Sequence, residues 1–516
     1  MTDVLRETML RQAGVGKDPM VLTESLLAQG QAGSARQVLE TLLKQSPNRP
    51  DAWFALGVAH TAANELKEAA KAFRRAIQLQ PGHPPGYVHL GNTYLRLGRA
   101  GQALETYDEG LKHRPQDPLL HFNRGIALRQ TGDIDGAIAE YKTAIAQHPP
   151  YFQAYFSLGN AHRDQGDKAA AEAAYRKAVE IEPRFADGHA NLAGLLAERE
   201  DYPAAIDSCR SVLALVPGHI HALRNLSLCL YRTGHHGESA EIAMLGLKVA
   251  PDETMLHYTV GEALYGLVRD GQAERARTLA ETWRQAHSGN AIAQHMAAAI
   301  LDEPAPARAG DDYVRETFDR FASDFEQVLG GLGYRVPERL CAAAHAALGE
   351  RAANLTILDA GCGTGLCAPH LKPLARRLVG VDLSGGMLEK ARARGLYDSL
   401  HEAELGAFLA ADRDRYDLAI AADVFCYFGE LGSSFRALAG RMVHGGLLGF
   451  TVEAMQGPTP AAGYRLGPTG RYQHDADYVR RELQAAGYET VRWDDTEGRV
   501  EMGQPVPCFM ILARRT

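Results

Sequence analysis

Two groups of residues in the 516-residue chain have the types and spacing to hold a ligand. The first is Asp359-Ala-Gly361-Cys-Gly363-Thr-Gly365, which follows the apolar run Leu355-Thr-Ile-Leu. Glycines at the carboxyl end of a strand, where a helix opens, let backbone come within contact of a ligand that any Cβ would push away. The helix N-terminus there favours a negatively charged group such as a carboxylate. The second is Asp382, which ends Leu378-Val-Gly-Val and is followed by Leu-Ser384. An acid in that place accepts hydrogen bonds from the two hydroxyls of a ribose. A nicotinamide dinucleotide calls for G-x-G-x-x-G, but here the third glycine comes one residue early and Leu366 stands in its place. Asp359 would also repel a pyrophosphate. An aminoacyl sulfonium nucleoside has no phosphate, and its ammonium is attracted by acids near the loop.

The pattern D-x-G-x-G-x-G with a downstream V-D-x-S resembles class I S-adenosylmethionine-dependent methyltransferases of the quinone-biosynthesis type, over about residues 313 to 516. The resemblance implies that Gly361, Gly363 and Gly365 cradle the methionine portion of S-adenosylmethionine and that Asp382 holds its ribose. It places Met387 against the adenine and Glu404 near the adenine amino group, and it makes Asp359 an organiser of the loop. The aromatic segment Phe318-Asp-Arg-Phe321-Ala-Ser-Asp-Phe325 is similar to the helix that covers the cofactor in these enzymes, although its spacing is equally that of a helix packed on a core. Methyl transfer from a sulfonium is an in-line displacement in which positioning supplies much of the acceleration, and a base is needed only if the acceptor must lose a proton. In the family the acceptor approaches the end of the fourth strand, which makes Tyr427 a candidate to orient it or the sulfonium, the alternative being a pocket wall. Glu453 ends the fifth strand, and the insertion from Gly457 to Asp475 stands where related enzymes build acceptor pockets. Within it His474, with a reference pKa near 6.5, is a candidate proton acceptor, the alternative being a neighbour of the next helix that faces water. His444 reads as turn chemistry, and Cys362 and Cys367 as packing residues.

These residues need strands to carry them. Strand patterns fall at Thr356 to Ala360, Leu378 to Asp382, near Leu400, Asp417 to Ala422, Leu447 to Val452, Glu489 to Trp493 and Val506 to Ala513. Helical patterns alternate with them, which implies a mainly parallel sheet covered on both faces, a Rossmann-like α/β domain over 313–516. Residues 301–312, with two prolines among alanines and charges, read as a linker.

Ahead of the linker the chain is periodic. Prolines recur every 34 residues at Pro47, Pro81, Pro115, Pro149, Pro183, Pro217 and Pro251. Ala35, Ala69, Ala103, Ala137, Ala171, Ala205 and Ala273 keep the same spacing, with Ser239 in the remaining place. Each unit reads as two amphipathic helices, as in Trp53, Leu56, Gly57 and His60 followed by Ala69, Phe73 and Ala76. Small residues stand where helices approach, and proline sets the turn into the next unit. This resembles the tetratricopeptide repeat (TPR) in length and signature. It implies an all-α superhelix over residues 1–300, about eight units with a core of 16–290, and a groove that binds a protein or peptide. Asn123, Asn191 and Asn225 share one repeat position and Asn92 and Asn160 another. A row of amides can pair with an extended peptide backbone, much like a partial version of the asparagine ladder of protein O-linked N-acetylglucosamine transferases. The same amides can instead satisfy groups between helices.

Composition bounds the function. Apolar residues make up 46% and charged residues 23%, as in folded globular chains, and the length suggests about three to four domains. A net charge of −8 gives no basic footprint for nucleic acid. Seven scattered cysteines, never spaced as CxxC, suggest neither a disulfide framework nor a metal site. The start Met1-Thr-Asp-Val-Leu-Arg-Glu has no secretory pattern and no run is long enough to span a bilayer, so a cytoplasmic protein without a membrane span is expected. The leading expectation is a methyltransferase whose repeats bind a protein or peptide, acting on a protein side chain or a small hydroxyl or amine. The alternative is an interaction scaffold whose methyltransferase domain binds S-adenosylmethionine without turnover. A glycosyltransferase, prompted by the repeats alone, has too few remaining residues for paired nucleotide-sugar domains.

Overall fold

A computed structural model describes residues 18–322, 325–326, 329, 334–501 and 504–516. The N-terminal segment read above for a leader, and Ser323 and Asp324 of the aromatic segment, lie outside the described residues. The chain forms two compact units that divide between Asn225 and Leu226.

The first unit is built of helical hairpins, such as Pro50–Ala62 with Leu66–Leu79 and Pro118–Gln130 with Ile134–Gln147. The repeating glycines explain how the two helices of a hairpin close. A Cβ on Gly57 would stand 2.5 Å from the Phe73 ring, and one on Gly125 would stand 2.6 Å from the Tyr141 ring. Only a hydrogen fits, so an aromatic ring of the second helix lies directly against the first helix's backbone. Ala35, Ala69, Ala103, Ala137, Ala171 and Ala205 are fully buried in the same seam. The repeat prolines carry a second regularity, because the carbonyls of Pro47 and Pro115 meet the ring nitrogens of Trp53 (2.7 Å) and His121 (3.0 Å) six residues on.

The second unit begins within the repeats. Its helices α1 (Thr254–Arg269), α2 (Ala273–Ala286) and α3 (Ala291–Leu301) continue the hairpin pattern, and α4 (Asp311–Phe321) and α5 (Val336–Leu348) follow. The alanine register shifts here. α1 has 16 residues where Ile220–Arg232 has 13, so the first fully buried alanine of α2 is Ala276 and not Ala273. The expected linker is not a free strand of chain. Ala309 N–H donates to Tyr427 O (2.8 Å), and Arg308 forms a bridge with Phe428.

A nine-stranded sheet then forms from β1 (Leu355–Ala360), β2 (Ala375–Asp382), β3 (Ser399–Glu402), β4 (Tyr416–Ala421), β5 (Met442–Ala454), β6 (Tyr464–Leu466), β7 (Tyr472–His474), β8 (Tyr488–Glu501) and β9 (Gln504–Arg515). Strands β3-β2-β1-β4-β5 are parallel neighbours in that order. β9 runs antiparallel along β5 from Leu447 to Glu453, with β8 beyond it. β4 pairs with β5 only as far as Phe450, and the short β7 takes up Glu453 and Ala454. The β6–β7 hairpin thus lies past the carboxyl end of β4, the end where the glycine loop also emerges. The expected strands are present. The hairpin was not expected, and β8 runs eight residues past the expected Trp493.

Alternate β1 residues feed opposite cores. Leu358 and Ala360 face one, with helices α8 (Leu405–Ala411), α9 (Gly432–Arg441) and α10 (Ala476–Ala485) supplying Phe408, Phe435 and Val479. Leu355 and Ile357 face the other, with Leu340 and Ala344 of α5 and Leu371 of the short helix α6 (Ala368–Leu371). Both faces are covered, so the sheet is buried and its free chemistry is confined to the strand ends.

Candidate active site

At the carboxyl ends of β1, β2 and β4 lies a cavity of about 320 Å³. Its floor is the glycine loop, which turns through left-handed backbone at Gly361 (φ +66°), Gly363 (φ +52°) and Gly365 (φ +84°). A Cβ on Gly361 would run into Val424, and one on Gly365 would stand 3.1 Å from Arg394 and Tyr397. At Gly363 it would meet nothing within 4 Å. The outer two glycines therefore permit close packing of the loop, while the middle one leaves it open.

Asp382 fastens the loop to β2. Its Oδ2 accepts the Gly363 N–H (2.8 Å) and its Oδ1 the Ser384 N–H (2.9 Å). Burial raises its pKa, these N–H groups act in the opposite direction, and Asp319 adds to the rise. Asp359, behind the loop, accepts the Tyr397 hydroxyl (2.6 Å), and burial pushes its pKa up to about 7. Met387 is fully buried in helix α7 (Gly385–Ala393) and lines the cavity. Glu404 caps α8, accepting the Ala407 N–H (2.8 Å), and also lines it. The seven predicted residues around the loop thus converge, and all but Gly365 reach the cavity wall.

The roof is α4 and its continuation. Val314, Thr317, Phe318, Phe321, Phe325 and Leu329 fall at helical spacing and line the cavity on one side. Two acids latch this roof to the floor. Asp319 Oδ1 accepts the Ser384 hydroxyl (2.5 Å) and the Gly386 N–H (3.0 Å), adding to the N-terminal cap of α7. Glu326 accepts from Arg394 (2.6 Å), whose Nε also donates to the Thr364 carbonyl in the loop (2.7 Å). The terminal repeat helices hold the roof from outside. Tyr258 of α1 donates its hydroxyl to Thr317 (2.5 Å), and His295 of α3 stacks on Tyr313 with ring centroids 4.0 Å apart. His295 Nε2 also donates to the Gly470 carbonyl in the β6–β7 hairpin (2.8 Å).

The remaining wall comes from the ends of β4 and β8 and the β6–β7 turn. Tyr427 lies edge-on to Phe318 (5.4 Å) and beneath the Arg471 guanidinium (5.7 Å), and burial raises its pKa so that the phenol stays neutral. Asp423, at φ +60°, holds left-handed backbone although it is not glycine, and its N–H donates to Thr451 (3.0 Å). Such strain at a strand end is kept where it places a side chain. Arg499 pairs with Glu453 (2.6 Å) and stands 3.6 Å from Asp423, and Arg471 stands 3.7 Å from Glu453. Glu453 and Arg499 are 3% and 4% exposed, so this pair is buried, with the partly exposed Asp423 and Arg471 at its edge.

His474 is not part of it. The residue expected to take a proton is fully buried in β7, outside the cavity lining, stacked on Tyr478. Its Nε2 meets the carbonyls of Phe428 (2.8 Å) and Gly429 (3.2 Å), which only accept, so that nitrogen carries the hydrogen. Burial lowers its pKa to about 4, which keeps it neutral. It fastens a turn. Cys362 and Cys367 do line the cavity, but both are raised well above a free thiol, Cys362 chiefly by burial and Cys367 chiefly by its bond with Cys341.

Comparison with known proteins finds two kinds of domain in the chain. A family model described as tetratricopeptide repeat matches residues 22–84, 89–152 and 156–220, and one described as methyltransferase domain matches 358–448. The chain carries tetratricopeptide repeats and a methyltransferase domain. Over 90 residues it is 43% identical to methyltransferase-like protein 27 of Homo sapiens, a match covering 17% of this chain and 37% of that protein. Over 101 residues it is 35% identical to malonyl-(acyl-carrier protein) O-methyltransferase of Acetivibrio thermocellus, covering 19% of this chain and 35% of that one. The chain therefore spans little more than a third of these relatives' length. Among solved structures, a thermophilic TPR protein of Thermus thermophilus, TTC0263, aligns with a TM-score of 0.31 at 25% identity, over 35% of this chain and 97% of that one.

In the repeats the structure shows where the predicted amides lie. Asn92 and Asn160 each accept a tyrosine hydroxyl from the second helix of their own hairpin, Tyr107 (2.6 Å) and Tyr175 (2.8 Å). Asn191 donates to Asn160 (2.9 Å), Asn123 donates back to the Leu119 carbonyl (2.7 Å), and Asn225 comes near Gly194. Asn160 and Asn191 are brought together by this bond, and the amide bonds here are bonds between helices or within one.

Sequence reasoning gave no role to Arg471, Arg499, Tyr397, Asp319 or Arg394. No local pattern marks them. Each reaches the site from an element far along the chain, apart from Arg394 and Tyr397, which stand in the irregular turn between helix α7 and β3.

Proposed function

We propose that the chain transfers a methyl group from S-adenosylmethionine, and that its repeats bind a protein or peptide. The glycine loop joined to Asp382 carries this reading. The loop is open at Gly363, and the strand-end carboxylate beside it faces the same cavity. Among the described lining residues this end has Asp359, Asp382 and Glu404 and no lysine or histidine, and its cation Arg308 is paired with Asp311. That donor set suits ribose hydroxyls and an ammonium, and it is wrong for a pyrophosphate. In this reading Gly361 and Gly363 lie along the methionine portion, with Gly365 allowing the turn. Asp382 holds the ribose, Met387 lies against the adenine, Glu404 receives the adenine amino group, and Asp359 stays behind the loop as its anchor through Tyr397. The sulfonium supplies an electrophilic methyl carbon. The aromatic roof excludes water from it, and Tyr427 with Arg471 forms the wall on the acceptor side. Residues 1–300 are then the binding array and 313–516 the catalytic domain, in a cytoplasmic protein.

Isothermal titration of the full chain with S-adenosylmethionine, S-adenosylhomocysteine and NAD tests the reading. Adenosylhomocysteine binds, and Asp382→Ala weakens it at least about tenfold because the carboxylate serves both the ligand and the loop, a loss of about 1.4 kcal/mol or more. Binding of NAD in its place would overturn the reading. Turnover of a radiolabelled methyl donor in cell extract separates an enzyme from a scaffold that only binds the donor.

A further inference from the structure

Resting on the methyl-transfer reading, we infer that the last repeat helices control exchange of the donor. Helix α4 is the gate over the donor end of the cavity, pivoted on α3 and held shut by Asp319 from the floor and by Tyr258 of α1 from the repeats. The juxtaposition that carries this is at Thr317. It lines the cavity, and its hydroxyl accepts from Tyr258 (2.5 Å) while donating to the Tyr313 carbonyl one turn back in α4 (2.6 Å). One side chain thus belongs both to the cavity wall and to the contact with the repeats.

The two ends of α4 are fastened unequally. Ahead of its first turn the chain leaving α3 is bonded through its backbone. Ala309 N–H donates to Tyr427 O (2.8 Å), and the N–H groups of Gly429 and Glu430 donate to Ala307 O (2.9 and 2.8 Å). Tyr313 in the first turn is buried and stacked on His295, and a Cβ on Gly470 of the β6–β7 turn would stand 2.9 Å from its hydroxyl and 2.7 Å from Met296 Sδ. Among the described residues the last turn is held by side chains instead. Asp319 reaches Ser384 and Gly386, and Phe321, which also lines the cavity, is 36% exposed. Side-chain bonds at an exposed edge open before backbone bonds and buried rings do, so α4 parts from the floor at Asp319 and turns about Tyr313. Shut, it seals the donor end. A Cβ on Gly386 would stand 3.3 Å from both the Ala322 Cβ and the Asp319 carbonyl oxygen, so α4 lies directly on the first turn of α7, just beyond Asp382. The Tyr258 bond falls between pivot and latch, and it adds to the closed state. The repeats therefore act on the donor through its rate of exchange and not through contact with it.

A gate passes the ligand in both directions. Loosening one raises association and dissociation together and leaves affinity nearly unchanged, whereas loss of a residue that only supports the bound state quickens dissociation alone. Stopped-flow kinetics of S-adenosylhomocysteine with the full chain make the distinction. Tyr258→Phe removes one hydrogen bond and keeps the ring that lies edge-on to Phe321 (5.8 Å), so the packing survives the change. Both rates are expected to rise about fivefold, with the dissociation constant within about twofold of wild type. Asp319→Ala removes two bonds to a carboxylate and is expected to raise both rates by at least about tenfold. Wild-type rates in Tyr258→Phe, or faster dissociation at an unchanged association rate, overturn the inference and leave the donor site standing. Dissociation that quickens alone in Asp319→Ala makes Asp319 a part of the floor and counts against the latch. Failure of adenosylhomocysteine to bind the wild-type chain overturns the methyl-transfer reading itself.

Discussion

An imidazole that is fully buried and donates to two carbonyls is placed to hold a turn and not to transfer a proton. His474 gives its Nε2–H to Phe428 and Gly429, the turn that follows Tyr427, so it shapes that wall of the cavity from behind. Its folded pKa of about 4 lies below the roughly 6.5 of an unfolded chain, so the unfolded state binds the proton more readily. The stabilisation is fully present above about pH 6.5 and is lost as pH falls towards 4. The expected outcome is that wild-type thermal stability declines between pH 6.5 and 4.5 more steeply than that of His474→Gln, by an amount on the order of a few kcal/mol across the window. Melting curves at several pH values check this, and parallel curves for the two proteins would count against it. The contrast with the glycine loop shows what a sequence discloses at this scale. Gly361, Gly363 and Gly365 act through backbone conformation, which is local, so their spacing announces them. The role of His474 depends on what packs over it from Phe428 and Tyr478, and a histidine between a turn and a helix looks the same whether it faces water or core.

Between elements, the roof helix α4 is held from both sides. Asp319 and Glu326 draw it onto the floor, while Tyr258 and His295 hold it to the last repeat helices. The repeats therefore end in contacts that set the position of the cavity roof. Tyr258→Phe removes one hydroxyl bond, worth about 1 kcal/mol and so about a fivefold change in local opening. Amide hydrogen exchange across 311–321 is expected to quicken by about that factor, with exchange in β1 and β2 unchanged, since those strands belong to the sheet core. Uniform quickening across the sheet would show that the hydroxyl supports the domain as a whole. The aromatic periodicity of α4 was visible in the sequence. The β6–β7 hairpin was not, because three-residue strands are too short to display a period of two. Arg499 was hidden for a related reason. It sits where β8 passes Asp494-Asp-Thr-Glu-Gly498, a polar stretch that reads as a turn and extends only because β9 pairs alongside it.

For the molecule as a whole, the 34-residue period reveals the array because each hairpin meets the same packing problem and solves it with the same residues. The shift at Ala276 shows the limit of such reading, since a three-residue extension of one helix moves the seam while leaving an alanine, Ala273, in the old register. Two compact units, each with its own core, should unfold in separable steps rather than in one. Calorimetry of the full chain is expected to show two transitions, of which adenosylhomocysteine raises only the one that belongs to residues 226–516. Gly125→Ala forces a methyl group into the Tyr141 ring, an overpacking cost of about 1–3 kcal/mol. In a repeat array that cost falls on the hairpin and its neighbours, so the variant lowers the other transition and leaves the ligand-sensitive one in place. A single transition that shifts as one body with both the ligand and the substitution would mean that the repeats and the methyltransferase domain fold as one cooperative structure, and that a partner bound at the array acts directly on the stability of the donor site.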